Sequence, residues 1–194
     1  MLRDKLKNHT VVLASGSPRR QQFLRELDIP FEIRLKEVEE IYPDTLKGAE
    51  ITDFLAGLKA KSMDDTLSDN EILITSDTIV WHEGKALGKP AGYEDAFAML
   101  KALSGSTHEV ITSVCIKSFA KSEVFNETTK VTFNALSDEE IKYYLDNYKP
   151  FDKAGSYGIQ EWIGLVAIAK IEGSYANVVG MPVDKVYQYL SKFA

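Results

Sequence analysis

Hydrophobic and polar positions follow two different periods at the start of the chain. The run "TVVLAS", residues 10–15, is short and rich in β-branched side chains, and it breaks at "SGSP". Phe23, Leu24 and Leu27 then recur at the spacing of one helical face. This order predicts a strand, a tight turn and a helix.

Three more elements are predicted before residue 83. "FEIRLKEV" alternates apolar Phe31, Ile33 and Leu35 with charged residues, which is typical of a half-exposed strand. A helical period over residues 48–63 predicts a longer helix. Its inner face is expected to consist of Ile51, Leu55, Leu58 and Ser62. "EILITSDTIVW" is almost continuously apolar, which predicts a strand covered on both faces.

The second half of the chain mixes helical and strand patterns. "GKPAGYEDAFAMLKALSG" predicts a helix, and "SDEEIKYYLDNY" begins with a capping box of Ser137 and Glu140. "HEVITSVCIKSF" and "EVFNETTKVTFNAL" predict paired antiparallel strands. "DKAGSYGIQ" is typical of a loop, "GLVAIAKIEG" of a strand and "PVDKVYQYLSKF" of an amphipathic helix. Together these patterns predict an α/β fold with a mixed, twisted sheet and flanking helices.

Composition and charge narrow the classes of function. The 194 residues suffice for one substantial domain or two small lobes, and we expect a single domain over residues 1–194. The net charge of -6 argues against a broad basic face for nucleic acid. The single cysteine, Cys115, lies in an apolar run, so we expect a buried thiol without a disulfide. "MLRDKLKNHT" is charged and no apolar run spans a bilayer, so we expect a cytoplasmic protein without membrane contact.

The turn "SGSPRR" is the first candidate for chemistry. If Ser17 caps the helix and Pro18 begins it, both arginines fall in the first turn. There the helix dipole disfavours Arg19 and Arg20 by about 0.3–1 kcal/mol each. A bound anion reverses that effect, because backbone N–H groups, guanidinium groups and the small Ser15 make a plausible phosphate site. The alternative is that both arginines point into solvent.

Asp77 is the second candidate, because it interrupts an otherwise apolar strand. By strand parity it shares a face with Thr75 and Ile79. A carboxylate there is costly unless it is hydrogen-bonded, paired with a cation or bound to a metal. Asp77 is therefore a candidate general base or metal ligand, and the alternative is a structural aspartate near a strand end.

Weaker candidates lie in other segments. Lys89 in "GKP" could face a phosphate, although most lysines are solvated. Glu40 ends the acidic cluster "KEVEE", which either helps to hold Mg²⁺ with substrate phosphates or forms a solvated edge. Lys59 lies near a helix end, where cations are favourable in any case. Gln160 could pair with a nucleobase edge, and a plain loop is the alternative.

Six motifs occur in one order between about residue 12 and residue 190. They are "LASGSPRRQQFL", "SDTIVW", "GKP", "LSGSTHEVIT", "DKAGSYGIQ" and "GSYANVVGMPV". In this order they resemble the Maf family of nucleoside triphosphate pyrophosphatases. The resemblance implies a fold related to inosine triphosphate pyrophosphatases, with two lobes around a cleft, and a homodimer. It also implies hydrolysis of a nucleoside triphosphate to the monophosphate and pyrophosphate with Mg²⁺ or Mn²⁺.

The resemblance also implies roles for single residues. Asp77 would accept the proton of the attacking water, and Glu40 together with Asp77 would hold the metal. The residues expected to contact or neutralise the phosphates are Ser15, Arg20, Lys59 and Lys89.

Base specificity has its own markers. "SDT" with "DKAGSYGIQ" resembles the dTTP and UTP group, in which Arg19, Thr78 and Gln160 would help to choose the base. Residues 161–163, "EWI", depart from the glycine-rich sequence expected at the rim of the base pocket. Two other functions stay open at this point: a pyrophosphatase for modified nucleotides, and a nucleotide-binding regulator of cell division.

Overall fold

The computed structural model describes residues 1–193 of the chain. The strands are β1 (Thr10–Leu13), β2 (Phe31–Ile33), β3 (Glu71–His82), β4 (Lys85–Leu87), β5 (Thr107–Lys117), β6 (Ser122–Phe133) and β7 (Ile168–Glu172). The α-helices are α1 (Leu2–Lys5), α2 (Pro18–Glu26), α3 (Ala49–Ser62), α4 (Tyr93–Leu103), α5 (Asp138–Tyr148), α6 (Trp162–Val166), α7 (Tyr175–Val179) and α8 (Val183–Phe193). Within this described part, no helix combines the length and apolar composition needed to cross a bilayer.

The strands form a mixed sheet. Its order is β2, β1, β3, β5, β6 and β7, and β4 pairs with β3 off this path. β1 is parallel to both of its neighbours, with Leu13 opposite Ile33 on β2 and Ile74 on β3. β4 and β7 are antiparallel to β3 and β6. The predicted α/β fold with a mixed sheet and flanking helices is confirmed.

The chain forms two compact units. Unit 1 contains residues 1–77, residues 112–127 and the C-terminal segment from Gly180. Unit 2 contains residues 78–111 and residues 128–179. β3 therefore contributes to both units, with Asp77 as its last residue in unit 1. The expectation of a single domain stays a prediction.

The sheet of unit 1 is covered on both faces. On one face, Leu13 and Ile72 of the strands pack in a buried cluster with Leu24 of α2 and Val186 of α8. On the other face, Leu73 of β3 packs in a second buried cluster with α3. The cover on both faces that "EILITSDTIVW" predicts is therefore confirmed for this part of β3. Because consecutive strand residues point to opposite faces, the apolar run of β3 supplies both clusters.

α3 contacts the sheet mainly through small side chains. Ala56 and Ala60 are 0 % and 2 % exposed and belong to a cluster with Leu73 and Cys115. The buried thiol predicted for Cys115 is confirmed.

The predicted inner face of α3 is only partly right. Ile51 and Leu55 are buried, but Leu58 and Ser62 are half-buried, so their assignment to the interior is wrong. The row that contains Ala56 and Ala60 is buried instead.

Unit 2 has an apolar core between its strands, α4 and α5. Val80 and Phe133 of the strands pack there with Leu100 of α4. α5 begins with the predicted capping box, in which the Glu140 amide donates to Ser137 Oγ at 3.2 Å. The Ser137 amide donates in turn to Glu140 Oε2 at 2.7 Å. The capping box is confirmed.

Two predicted strands have different bounds. The alternation from residue 31 to residue 38 yields only β2, an edge strand after which Leu35 is 64 % exposed. "GLVAIAKIEG" forms the end of α6 before it enters β7. A Cβ at Gly164 would lie 1.7 Å from the carbonyl oxygen of Ile159, so only glycine fits this turn of α6.

Candidate active site

The turn between β1 and α2 presents the first group of predicted site residues. Ser17 occupies the N-cap position and Pro18 the first helical position, but the Ser17 side chain makes no capping hydrogen bond. Instead the Ser17 amide donates to Ser15 Oγ at 3.2 Å. The first turn of α2 contains no acidic side chain. Both arginines therefore lie at the positive end of the helix dipole, and no carboxylate of the same turn offsets their charge.

Arg20 joins this turn to backbone carbonyls that are distant in the sequence. Its Nε donates to the Gly180 carbonyl at 2.9 Å, and its Nη1 donates to the Ser76 carbonyl at 3.0 Å. Nη1 also donates to Ser15 Oγ at 3.3 Å. Burial lowers the pKa of Arg20, and the attraction of Asp77 opposes that effect. The guanidinium stays charged at neutral pH, so Arg20 combines a structural brace with a local positive charge.

Asp77 is a buried carboxylate of unit 1. It is only 6 % exposed, and its Oδ1 accepts a hydrogen bond from Lys59 Nζ at 2.7 Å. The same ammonium lies 2.7 Å from Glu40 Oε1, whose side chain is 47 % exposed. Lys59 of α3 thus bridges a buried carboxylate on β3 and a half-exposed one on the loop after β2.

The strand parity predicted for Asp77 is confirmed by Thr75. Thr75 Oγ1 donates to the Ala56 carbonyl of α3 at 2.7 Å, so both side chains point to α3.

Unit 1 therefore holds five predicted residues in two groups of contacts. Ser15 accepts from Arg20, and Lys59 bridges Glu40 and Asp77. The carbonyl that accepts from Arg20 belongs to the residue directly before Asp77. Arg19 stands next to Arg20 at the start of α2 and is half-buried. With Arg19 included, these predicted residues comprise three cations and two carboxylates, although the whole chain carries a net charge of -6. Such a local excess suits a small polyanion.

The acidic pair also has the chemistry of a magnesium site. Two carboxylate oxygens already face one cationic group, the Lys59 ammonium, at 2.7 Å each. Among residues 1–193, no group of three or more His, Cys, Asp or Glu side chains could hold a metal ion. One or two carboxylates with substrate phosphates is the usual arrangement for Mg²⁺, so Glu40 and Asp77 fit a metal that binds together with a phosphate substrate.

The other predicted residues belong to unit 2. Thr78 follows Asp77 on β3 and is half-buried, whereas Lys89 and Gln160 are exposed on loops. The Gly155 amide donates to the Gly88 carbonyl at 3.0 Å. This bond joins the loop of Lys89 to the segment that leads to Gln160.

A buried network fixes the Gln160 loop at residues 153–161. The Gly158 amide donates to the Tyr144 hydroxyl at 3.0 Å, and that hydroxyl donates to Glu161 Oε2. Lys153 Nζ lies 3.1 Å from Glu161 Oε1. Burial and the Glu161 carboxylate raise the pKa of Tyr144 above its ordinary value. Glu161 begins the "EWI" segment that departs from the expected sequence. Its contacts with Tyr144 and Lys153 thus help to hold the loop in place.

Residues 10–193 match the profile of a family described as Maf-like protein. The chain belongs to the Maf family. Curated relatives named dTTP/UTP pyrophosphatase include those of Flavobacterium psychrophilum, 65 % identical over 98 % of this chain and 97 % of the relative, and Flavobacterium johnsoniae, 62 % identical over 98 % of both. The protein of the same name from Parabacteroides distasonis is 51 % identical over 98 % of this chain and 99 % of the relative.

A solved structure extends the comparison to the fold. The Staphylococcus aureus Ham1 protein superposes with a TM-score of 0.50, at 14 % identity, over 95 % of this chain and 100 % of its own. At that identity the likeness concerns the fold alone, and it supports the mixed α/β architecture of this Maf protein.

Sequence reasoning missed the groups that hold the predicted site residues in place. Ser76 and Gly180 contribute backbone carbonyls to Arg20, and such acceptors leave no side-chain signal. Thr75 had a signal, because "TSD" is a polar interruption in an apolar strand.

Proposed function

We propose that this Maf protein hydrolyses dTTP and UTP to the monophosphate and pyrophosphate. Relatives named for that activity share up to 65 % identity with it over nearly the whole length. The observation that carries the proposal is the buried Asp77 carboxylate, held 2.7 Å from Lys59 in the same unit as the arginine-bearing start of α2. A base and a phosphate cradle in one unit are what triphosphate hydrolysis requires.

The proposed roles follow from the chemistry of each group. Ser15, Arg20 and the backbone amides at the start of α2 bind phosphate oxygens. Asp77 accepts a proton from the water that attacks the α-phosphorus. Lys59 and Lys89 neutralise charge that develops on the phosphates, which is the main task of catalysis in phosphoryl transfer.

The proposed cofactor is Mg²⁺ or Mn²⁺, held by Glu40 and Asp77 together with the substrate. When bound, such an ion neutralises phosphate charge and polarises the phosphoryl oxygens. Arg19, Thr78 and Gln160 are the proposed determinants of base choice. We also propose a cytoplasmic homodimer, whose mass light scattering can measure.

Pyrophosphate release from a panel of triphosphates tests the function. The panel contains dTTP, UTP, CTP, ATP, GTP and methylated or deaminated triphosphates, each with Mg²⁺, with Mn²⁺ and with EDTA. We expect the highest kcat/KM for dTTP and UTP and no turnover in EDTA. Higher kcat/KM for modified bases, or binding of dTTP without pyrophosphate release, would overturn the proposal.

Asp77→Asn tests the assigned base. We expect a loss of kcat of at least about 10²-fold. Asp65→Asn is the matched control, because Asp65 also accepts from a lysine at 2.7 Å but is exposed on the surface of unit 1. Normal turnover of Asp77→Asn would refute the role of Asp77.

A further inference from the structure

The site depends on how α3 lies against β3. Lys59 is on α3 and Asp77 is on β3, and the two side chains meet at 2.7 Å. The contact face of α3 near Lys59 consists of Ala56 and Ala60. Methyl groups bring a helix close to a sheet, but they interlock little with their neighbours. Near Lys59, apolar packing alone therefore determines the axial position and rotation of α3 only weakly.

Near its start, α3 is joined to the sheet by the hydrogen bond from Ser113 of β5 to Thr52. Near Lys59, a hydrogen bond between α3 and β3 supplies the corresponding constraint. Thr75 Oγ1 donates to the Ala56 carbonyl at 2.7 Å, and both residues are 0 % exposed. Ala56 precedes Lys59 by three residues, one turn of the helix, and Thr75 precedes Asp77 by two residues on the same face of the strand. The bond and the ion pair are thus adjacent contacts between the same two elements.

We propose that Thr75 is a positioning residue whose hydroxyl holds α3 where the Lys59 ammonium meets the Asp77 carboxylate. This inference rests on the proposed function. Thr75 acts through Lys59 and Asp77 and makes no contact with substrate in this role. A lysine side chain is long and flexible, so the place of its ammonium depends on where the helix backbone is held.

Thr75→Val removes the hydroxyl and keeps nearly the same side-chain volume. Ala56 lies inside α3, so its carbonyl retains the helical hydrogen bond and is not left without a partner. The substitution is therefore compatible with folding, and its main effect falls on the fit between α3 and β3. Thr75→Ser retains the hydroxyl, and Thr75→Ala, which also lacks it, replaces the valine variant if that protein is insoluble.

Steady-state kinetics with dTTP and Mg²⁺ tests the proposal. We expect Thr75→Val to lower kcat about tenfold, since small misplacements of catalytic groups are costly, and to leave KM within about twofold. KM is spared because the start of α2 binds the phosphates. Thr75→Ser should restore kcat to within about threefold of the wild type.

Thr52→Val is the matched control. Thr52 is also fully buried on α3, about two turns from Lys59. Its hydroxyl donates to the Ala49 carbonyl at 3.1 Å and accepts from Ser113 Oγ of β5 at 2.6 Å, so this residue also joins α3 to the sheet, but away from Lys59. We expect its kcat to stay within about twofold of the wild type. Wild-type kcat in Thr75→Val, an equal loss in Thr52→Val, or no recovery in Thr75→Ser would each overturn the positioning role. Absence of pyrophosphate release by the wild type would instead overturn the proposed function.

Discussion

Replacing Lys59 by methionine measures what the bridging ammonium contributes. Methionine keeps much of the length of the side chain and removes its charge. Lys59 Nζ lies 2.7 Å from both Asp77 Oδ1 and Glu40 Oε1, and the Asp77 side chain is 9 % exposed. In this variant the buried Asp77 carboxylate loses the Lys59 ammonium and still lies near the Glu40 carboxylate.

The structure sets the size of the effect. Breaking a buried ion pair costs about 3–5 kcal/mol, because the remaining charge stays desolvated. Water reaches Glu40, which is 47 % exposed, and reduces that cost. We expect the free energy of unfolding to fall by about 2–3 kcal/mol. For a chain of this size that lowers Tm by roughly 5–10 °C.

Two assays check this prediction. Thermal unfolding by circular dichroism at pH 7 gives Tm, and pyrophosphate release from dTTP should show a fall in kcat of at least about 10²-fold. Lys36→Met is the control, since Lys36 pairs with Asp65 on the surface and its loss should leave Tm unchanged. A Lys59→Met protein with a Tm within about 2 °C of the wild type and unaltered kcat would refute the reasoning.

Three other substitutions test separate parts of the molecule. The hydrogen-bonded Arg34 lowers the pKa of Glu71 below 4.5, so this carboxylate adds stability above that pH and loses it as the pH falls through its folded pKa. Glu71→Gln should therefore reduce the decrease in Tm as the pH is lowered. A Tm-against-pH curve parallel to that of the wild type would contradict this. Tyr144→Phe removes a hydroxyl that accepts from Gly158, so the urea midpoint should drop by the equivalent of about 1–3 kcal/mol; an unchanged midpoint would exclude the network. Arg20→Lys keeps the charge but not the planar donor group, and kcat/KM should fall at least about tenfold, whereas an unchanged value would reduce Arg20 to a simple charge.

Much of the fold could be predicted because its signals are local. The apolar run of β3, the capping box of α5 and the buried Cys115 each follow from residues within a few positions of one another. β2 and α6 could not be placed in the same way. The length of an edge strand depends on its neighbour, and α6 depends on the approach of Gly164 to Ile159.

The candidate site also has a part that local sequence predicts and a part that it does not predict. The "SGSPRR" turn and the polar "TSD" in an apolar strand are visible as violations of local preference, namely cations at a helix start and a carboxylate in a core. Their partners are not visible. Arg20 contacts a carbonyl 160 residues away, and the residue that holds Asp77 lies 18 positions before it.

The class of fold, the positions of unusual charge and the resemblance to the Maf family all follow from the amino-acid sequence alone. Three contacts emerge only in the folded chain: Lys59 bridges Asp77 and Glu40, Arg20 donates to backbone carbonyls, and Thr75 joins α3 to β3. A polar group that the fold buries needs a hydrogen-bonding partner. Which partner it finds depends on the register of β1 against β3 and on the helix packed against them, and neither is encoded in a local pattern.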